Sequence, residues 1–148
     1  MEDRPGKHRT SAFIPYRKQG DEFAVFLQRR CRDAALFPGY LGFFGGHIEK
    51  SEKPKQALLR EIKEELNYVP TAHRFFGKYV SPTSIKHVFI EDVGDDFERH
   101  VTVIEGEYGK FFTESDVQQE PLVREENKFI LRDLFRALWE RTSWGNSR

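Results

Sequence analysis

The segment that most restricts this chain is Gly45–Tyr68, GGHIEKSEKPKQALLREIKEELNY, where a glycine-rich aromatic loop gives way to one amphipathic helix. From about Glu52 to Leu66 the aliphatics Leu58, Leu59, Ile62 and Leu66 recur at helical spacing. Ser51 and Pro54 mark the start. Asn67 marks the stop, because asparagine tolerates left-handed backbone better than most residues. On a wheel turning about 100° per residue with Glu61 at zero, Glu65 falls at about 40° and Glu64 at about −60°. The aliphatics cover about 60° to 160° on the same wheel. A solvated helix carries its charges opposite its apolar stripe. Here three carboxylates stand at the margin of the stripe, partly desolvated and mutually repulsive unless a cation lies between them. Glu61 and Glu65, one helical turn apart, can converge on a hard divalent ion, and oxygen-only ligands suit Mg²⁺ or Mn²⁺. Gly45 and Gly46 let the backbone approach such a site and offer carbonyl oxygens to it. Glu52 and Arg60 can pair across the loop–helix junction as support.

These residues spell a pattern. Gly46, Glu52, Arg60-Glu61-Ile62 and Glu64-Glu65 resemble the Nudix box, G-x5-E-x7-R-E-U-x-E-E-x-G-U, with U a bulky aliphatic residue. Only its end departs: Asn67 stands at the box glycine and Tyr68 at the final aliphatic. The resemblance implies a mixed β-sheet sandwiched between helices, with the box forming loop–helix–loop. It also implies divalent-metal-dependent hydrolysis of a pyrophosphate bond in a nucleoside diphosphate derivative. Carried over by position, the Gly45 carbonyl, Glu61 and Glu65 would hold the metal, with Glu64 a further ligand or water-orienting group. Such sites use one more acid from a downstream loop, for which Asp95, Asp96, Glu98, Glu105 and Glu107 are candidates. Glu105 is favoured, because the Glu-Gly step before the next strand can aim it at the helix. The substrate branch stays open among nucleoside triphosphates, oxidised nucleotides, nucleotide sugars and ADP-ribose. Pro82, just past the box, resembles a marker of the ADP-ribose branch, yet a proline between strands is common for turn reasons alone. Many relatives are homodimers.

The rest of the chain reads as strands flanked by helices: an α+β fold, a three-layer α/β/α sandwich. Strands are expected at Ser11 to Tyr16, Glu22 to Arg29, briefly near Leu41 to Phe44, then Arg74 to Val80, Lys86 to Val93, His100 to Glu105 and Lys110 to Phe112. A helical turn near Glu114 and a helix from Glu125 to Glu140 complete the order. The apolar residues of that helix are Phe129, Leu131, Leu134, Phe135, Leu138 and Trp139. A length of 148 residues fits one domain, with residues 1–9 and 141–148 expected to be poorly ordered tails.

Charge narrows the partners. With 24 Lys+Arg against 24 Asp+Glu, no global field draws in duplex nucleic acid or a membrane surface, so an anionic small molecule must be held locally. No apolar run suits a signal peptide or a membrane span, and the single cysteine, Cys31, excludes an internal disulfide, so a cytoplasmic location is expected. His47 reads as a loop residue and His87 as a half-buried sheet residue. Tyr16, Phe43, Phe44, Tyr79, Phe89 and Phe97 read mainly as core, with one or two available to stack on a base. Two readings from other classes stand beside the hydrolase. One is a non-catalytic nucleotide-sensing or RNA-binding module on the same fold, which usually goes with loss of the box glutamates. The other is a prenyl-diphosphate isomerase, which relies on a site cysteine that Cys31 is badly placed to supply.

Overall fold

The computed structural model describes residues 6–146, with side chains as far as Arg141. Strands β1 (His8–Gln19) and β2 (Glu22–Arg29) form a hairpin whose tight turn pairs Gln19 with Glu22. Then come β3 (Leu41–Gly42), β4 (Phe44–His47), helix α1 (Pro54–Leu66), β5 (Arg74–Val80) and β6 (Ser84–Asp92). The chain closes with α2 (Phe97–His100), β7 (Tyr108–Thr113), α3 (Glu114–Gln119) and α4 (Glu125–Asn146). The strands form one mixed sheet in the order β3-β2-β1-β6-β5, with β4 beside β1 and β7 beside β2. β1 and β6 run parallel, which needs a long connection, here one that includes α1.

The sequence pattern explains why this sheet is covered twice. Along β1, Ala12, Ile14 and Tyr16 enter one core and Phe13 the other; along β2, Val25 and Leu27 alternate with Ala24 and Phe26. Strands buried on both faces read as near-continuous apolar runs, as these do. Leu58, Ile62 and Leu66 of α1 close one core; Ile130, Leu131, Leu134, Phe135 and Leu138 of α4 close the other. The expected α/β/α sandwich is therefore the fold.

Several local expectations change. The α1 N-cap is Lys53 rather than Ser51, because Pro54 takes the first helical position and Gln56 Oε1 accepts the Lys53 N–H at 2.7 Å. Asn67 does stop the helix in the left-handed conformation (φ 49°, ψ 45°). Tyr68, the other departure from the box, sends its hydroxyl to the buried carboxylate of Glu91, which also accepts the Ala72 N–H at 3.1 Å. The strand expected at His100 to Glu105 does not form. Its alternating Val101 and Val103 pack on the α1-side core, and its amides turn to a helix end: Thr102 N–H donates to Leu66 O (2.9 Å) and Ile104 N–H to Glu65 O (2.8 Å). In α4, Phe129 and Trp139 are exposed and Ile130 takes the inward position. Residues 8–9 lie in β1 and 141–146 continue α4 where tails were expected; residues 1–5 and 147–148 lie outside the described residues. No helix among the described residues is long and apolar enough to cross a membrane.

Candidate active site

α1 sets its three carboxylates at three depths, in the order the wheel gives. Glu65, beside the apolar stripe, is 4% exposed; the Glu61 side chain is 16% exposed, and that of Glu64, furthest round, is 60% exposed. Above them β4 lies antiparallel to β1, and the Gly45 N–H donates to Glu65 Oε1 at 2.9 Å. Both glycines leave room that a side chain would fill, against backbone at Gly45 and against the Glu61 carboxylate at Gly46. At Gly45 (φ +135°) a Cβ would run into the Ser11 carbonyl and sit 3.0 Å from Ala12 Cα. At Gly46 it would lie 2.6 and 2.7 Å from the two Glu61 carboxylate oxygens. The glycine loop and the helix thus meet at the carboxylates themselves.

Burial pushes the Glu65 carboxyl up to about 8. The Gly45 amide opposes the shift, while the negative charges of Glu105 and Glu61 and a hydrogen bond with Glu61 add to it. Two carboxylates this close cannot both ionise cheaply without a cation or a shared proton. That donor set fits a hard divalent ion held by Glu61 and Glu65, although among the described residues no group of three or more His, Cys, Asp or Glu side chains is gathered for a metal. Glu64 is exposed to solvent, and its carboxylate lies 3.7 Å from Arg60 Nη1.

Arg60 braces the assembly. Its Nε and Nη2 grip Glu52 at 2.8 and 2.9 Å, Nη2 also reaches the His47 carbonyl at 3.0 Å, and Nη1 donates to Glu61 Oε2 at 2.9 Å. Glu52 in turn accepts the Glu49 N–H at 2.9 Å, so it closes the loop ahead of α1. The Arg60 guanidinium holds the Glu52 carboxyl down at about 2. A group lowered on folding stabilises the native state above its unfolded pKa, near 4.5, and loses that contribution as pH falls towards 2. Glu52→Gln is therefore expected to lower Tm modestly at neutral pH, by an amount that shrinks below about pH 4, and to reduce kcat less than removal of Glu65. A Tm difference independent of pH would show that the ion pair is not its source.

Of the downstream acids, Glu105 is the one whose negative charge helps raise the Glu65 carboxyl. Its loop is pinned on both sides, by Ile104 N–H on Glu65 O and by Glu107 N–H on Arg29 O at 2.8 Å, while buried Gln28 donates Nε2 to the Glu105 carbonyl at 3.0 Å. Two of the other candidates have their carboxylates paired elsewhere: Glu98 takes a bidentate pair from Arg17 at 2.8 and 2.9 Å, and Asp96 meets His100 at 3.1 Å. Asp95 contributes its carbonyl to Arg17, and Glu107 its backbone to β2. His47 is exposed with its carbonyl on Arg60, and His87 is half-buried in β6.

A cleft of about 230 Å³ opens beside Gly45–Gly46, between β1, the 36–43 loop and the start of α4. Phe37, Tyr40 and Phe43 give it aromatic walls, and Arg30, Lys86 and Arg124 give it cations. The Arg124 guanidinium lies over the Phe37 ring at 4.2 Å. Phe43, expected among core aromatics, lines this cleft, whereas Phe44 is fully buried. Burial pulls the Lys86 ammonium below its usual range, and Glu126 at 3.5 Å pulls the other way. Lys86, Arg124 and Asn127 give no sign of this role in the sequence, since they meet only when β6 and the α4 N-terminus are brought together.

The NUDIX domain family model matches residues 6–134. The chain belongs to the Nudix family. Among curated proteins, 8-oxo-dGTP diphosphatase of Escherichia coli (strain K12) is 36% identical over 64 residues, 43% of this chain and 49% of that protein. The match thus spans about half the length of that relative. Among solved structures, a mutT/nudix family protein from Listeria innocua superposes with a TM-score of 0.73 at 21% identity, covering 95% of this chain and 99% of that one. The NUDIX domain of Shewanella oneidensis NrtR, complexed with ADP ribose, gives 0.69 at 18% identity, covering 88% of each chain. These likenesses establish the Nudix fold.

Proposed function

We propose that this Nudix protein is a pyrophosphohydrolase that cleaves a nucleoside diphosphate derivative with the help of Mg²⁺ or Mn²⁺. The observation that carries the reading is the Glu61–Glu65 pair, buried under the Gly45–Gly46 loop in a state that calls for a proton or a cation. The relative named as an 8-oxo-dGTP diphosphatase and the neighbour holding ADP ribose both support nucleotide chemistry. Nudix hydrolases generally use divalent metals. Glu61 and Glu65 would hold the ion, with the Gly45 carbonyl and Glu64 as further candidates. A bound ion supplies charge neutralisation to the diphosphate and lowers the pKa of an attacking water.

The chain's own groups carry the remainder. Arg60 fixes the Glu61 carboxylate through Nη1. Glu105, whose backbone carbonyl accepts from Gln28 and whose neighbour Ile104 is tied to the α1 terminus, would take the proton of the attacking water as its oxygen bonds to phosphorus and the anhydride P–O bond breaks. The aromatic and cationic cleft beside the loop receives the nucleoside and its leaving phosphate oxygens. A panel of ADP-ribose, nucleotide sugars, dinucleoside polyphosphates and normal and oxidised nucleoside triphosphates tests the reading. Cleavage of at least one member with Mg²⁺, abolished by EDTA, is expected. Silence across the panel from a folded, metal-binding protein would overturn it in favour of a non-catalytic sensor.

A further inference from the structure

β2 breaks its own pattern at Gln28. On the face turned to α1 it carries Ala24 and Phe26, both buried, and alternation gives the next place on that face to Gln28, only 4% exposed. An apolar side chain belongs at such a place, and a buried amide there needs a partner. The residues directly across from it are both glycine, Gly42 on β3 and Gly109 on β7, so neither offers a side chain. The amide goes instead to the loop ahead of β7, where Nε2 donates to the Glu105 carbonyl at 3.0 Å. Gly106 sits against the same side chain: at φ +91°, a Cβ would lie 2.8 Å from Gln28 Cγ and 3.0 Å from the Arg29 carbonyl oxygen. Residues 101–107 form no helix or strand, and Ile104 and Glu105 are exposed. The loop therefore takes its shape from contacts with other elements. Ile104 N–H ties it to the end of α1, Glu107 N–H ties it to Arg29, and Gln28 holds residue 105 itself.

We infer that Gln28 is a positioning residue for Glu105: through the residue 105 carbonyl and the seat under Gly106, it fixes where that acid stands relative to Glu65. The inference rests on the proposed role of Glu105 as acceptor of the water's proton. A group misplaced by about 1 Å loses about a hundredfold in rate even when the change lies away from the chemistry. Such a loss falls on kcat and spares KM, because substrate binding does not use the contact. A residue that merely stabilised the fold would show neither this split nor any dependence on Glu105.

The test measures kcat and KM, with Mg²⁺, on the panel nucleotide that the wild type cleaves fastest. Gln28→Met keeps the length and bulk of the side chain and removes the donor, and should lower kcat at least about tenfold with KM within about twofold. Glu105→Gln should lower kcat about a hundredfold or more. Adding Gln28→Met to Glu105→Gln should change kcat by less than about twofold, because the contact then has no acid to place. Gly106→Ala crowds the same contact from the exposed loop, away from the core, and should reproduce the split and the dependence on Glu105. Hydrogen exchange of the metal-free protein gives a readout without turnover: the Ile104 and Glu107 amides should exchange at least about tenfold faster in Gln28→Met, while those of β1 keep their rates. Loss of kcat in Glu105→Gln but in neither Gln28→Met nor Gly106→Ala overturns the inference alone, as do additive losses in the double variant or unchanged loop exchange. Full activity of Glu105→Gln overturns the role of Glu105 and the inference with it.

Discussion

Glu65→Gln is expected to fold normally and to lose kcat by about a hundredfold or more at saturating Mg²⁺. The substitution keeps volume and the acceptor for the Gly45 N–H, and it removes the charge that a divalent ion needs. Unchanged turnover would take Glu65 out of the metal site. The same variant has a second, independent signature in the metal-free protein. The Glu65 carboxyl is raised on folding from 4.5 to about 8, chiefly by burial. The native state therefore keeps a proton that the unfolded chain has given up over this window. Stability is full below the unfolded pKa and is lost as pH rises through the folded one. Without metal, Tm should fall between about pH 5 and pH 8, and Glu65→Gln should flatten that slope. Added Mg²⁺ replaces the proton and should restore wild-type Tm most at the alkaline end. A metal-free Tm that does not change between pH 5 and pH 8 would contradict the burial argument.

Gly45→Ala is expected to be the most damaging small substitution for stability, costing about 3 kcal/mol or more and on the order of 10 °C in Tm. The new Cβ meets the backbone of β1, which cannot step aside, and φ +135° is closed to an L-residue. Gly46→Ala separates the two roles of the loop. There the obstacle is the end of the Glu61 side chain, which can swing away, so the fold should survive while turnover falls. Equal Tm for Gly45→Ala and wild type by thermal melting would refute the steric account, and full activity of Gly46→Ala would show that Glu61 does not need its position.

The legible part of this site was the part written locally. Helical spacing placed Glu61, Glu64 and Glu65 relative to Leu58 and Ile62, and the depth order in the structure follows from those angles. Asn67 was readable because a left-handed helix stop is a property of one residue and its backbone. Tyr68 was not, since its hydroxyl answers Glu91, a residue on another element. The strand expected at His100 to Glu105 shows the limit of periodicity. Alternating Val101 and Val103 report one apolar face, but not whether the backbone amides find a neighbouring strand or the carbonyls of Glu65 and Leu66. Gln28, Lys86 and Asn127 were invisible for the same reason: each acts across at least two elements that only the sheet brings together.

The division of the molecule by its sheet has a practical corollary for redesign. Glu61 and Glu65 hang from a helix on one side, while Lys86 and Asn127 sit on the α4 side of β1 and β6, and the contact between the two is the Gly45–Gly46 crossing. Reshaping the pocket wall at Phe37, Tyr40 or Asn127 therefore gives the carboxylates no new neighbour. On the proposed function, substrate choice in the cleft and bond-breaking at the carboxylates could be retuned as separate dials, provided the two glycines between them are left alone.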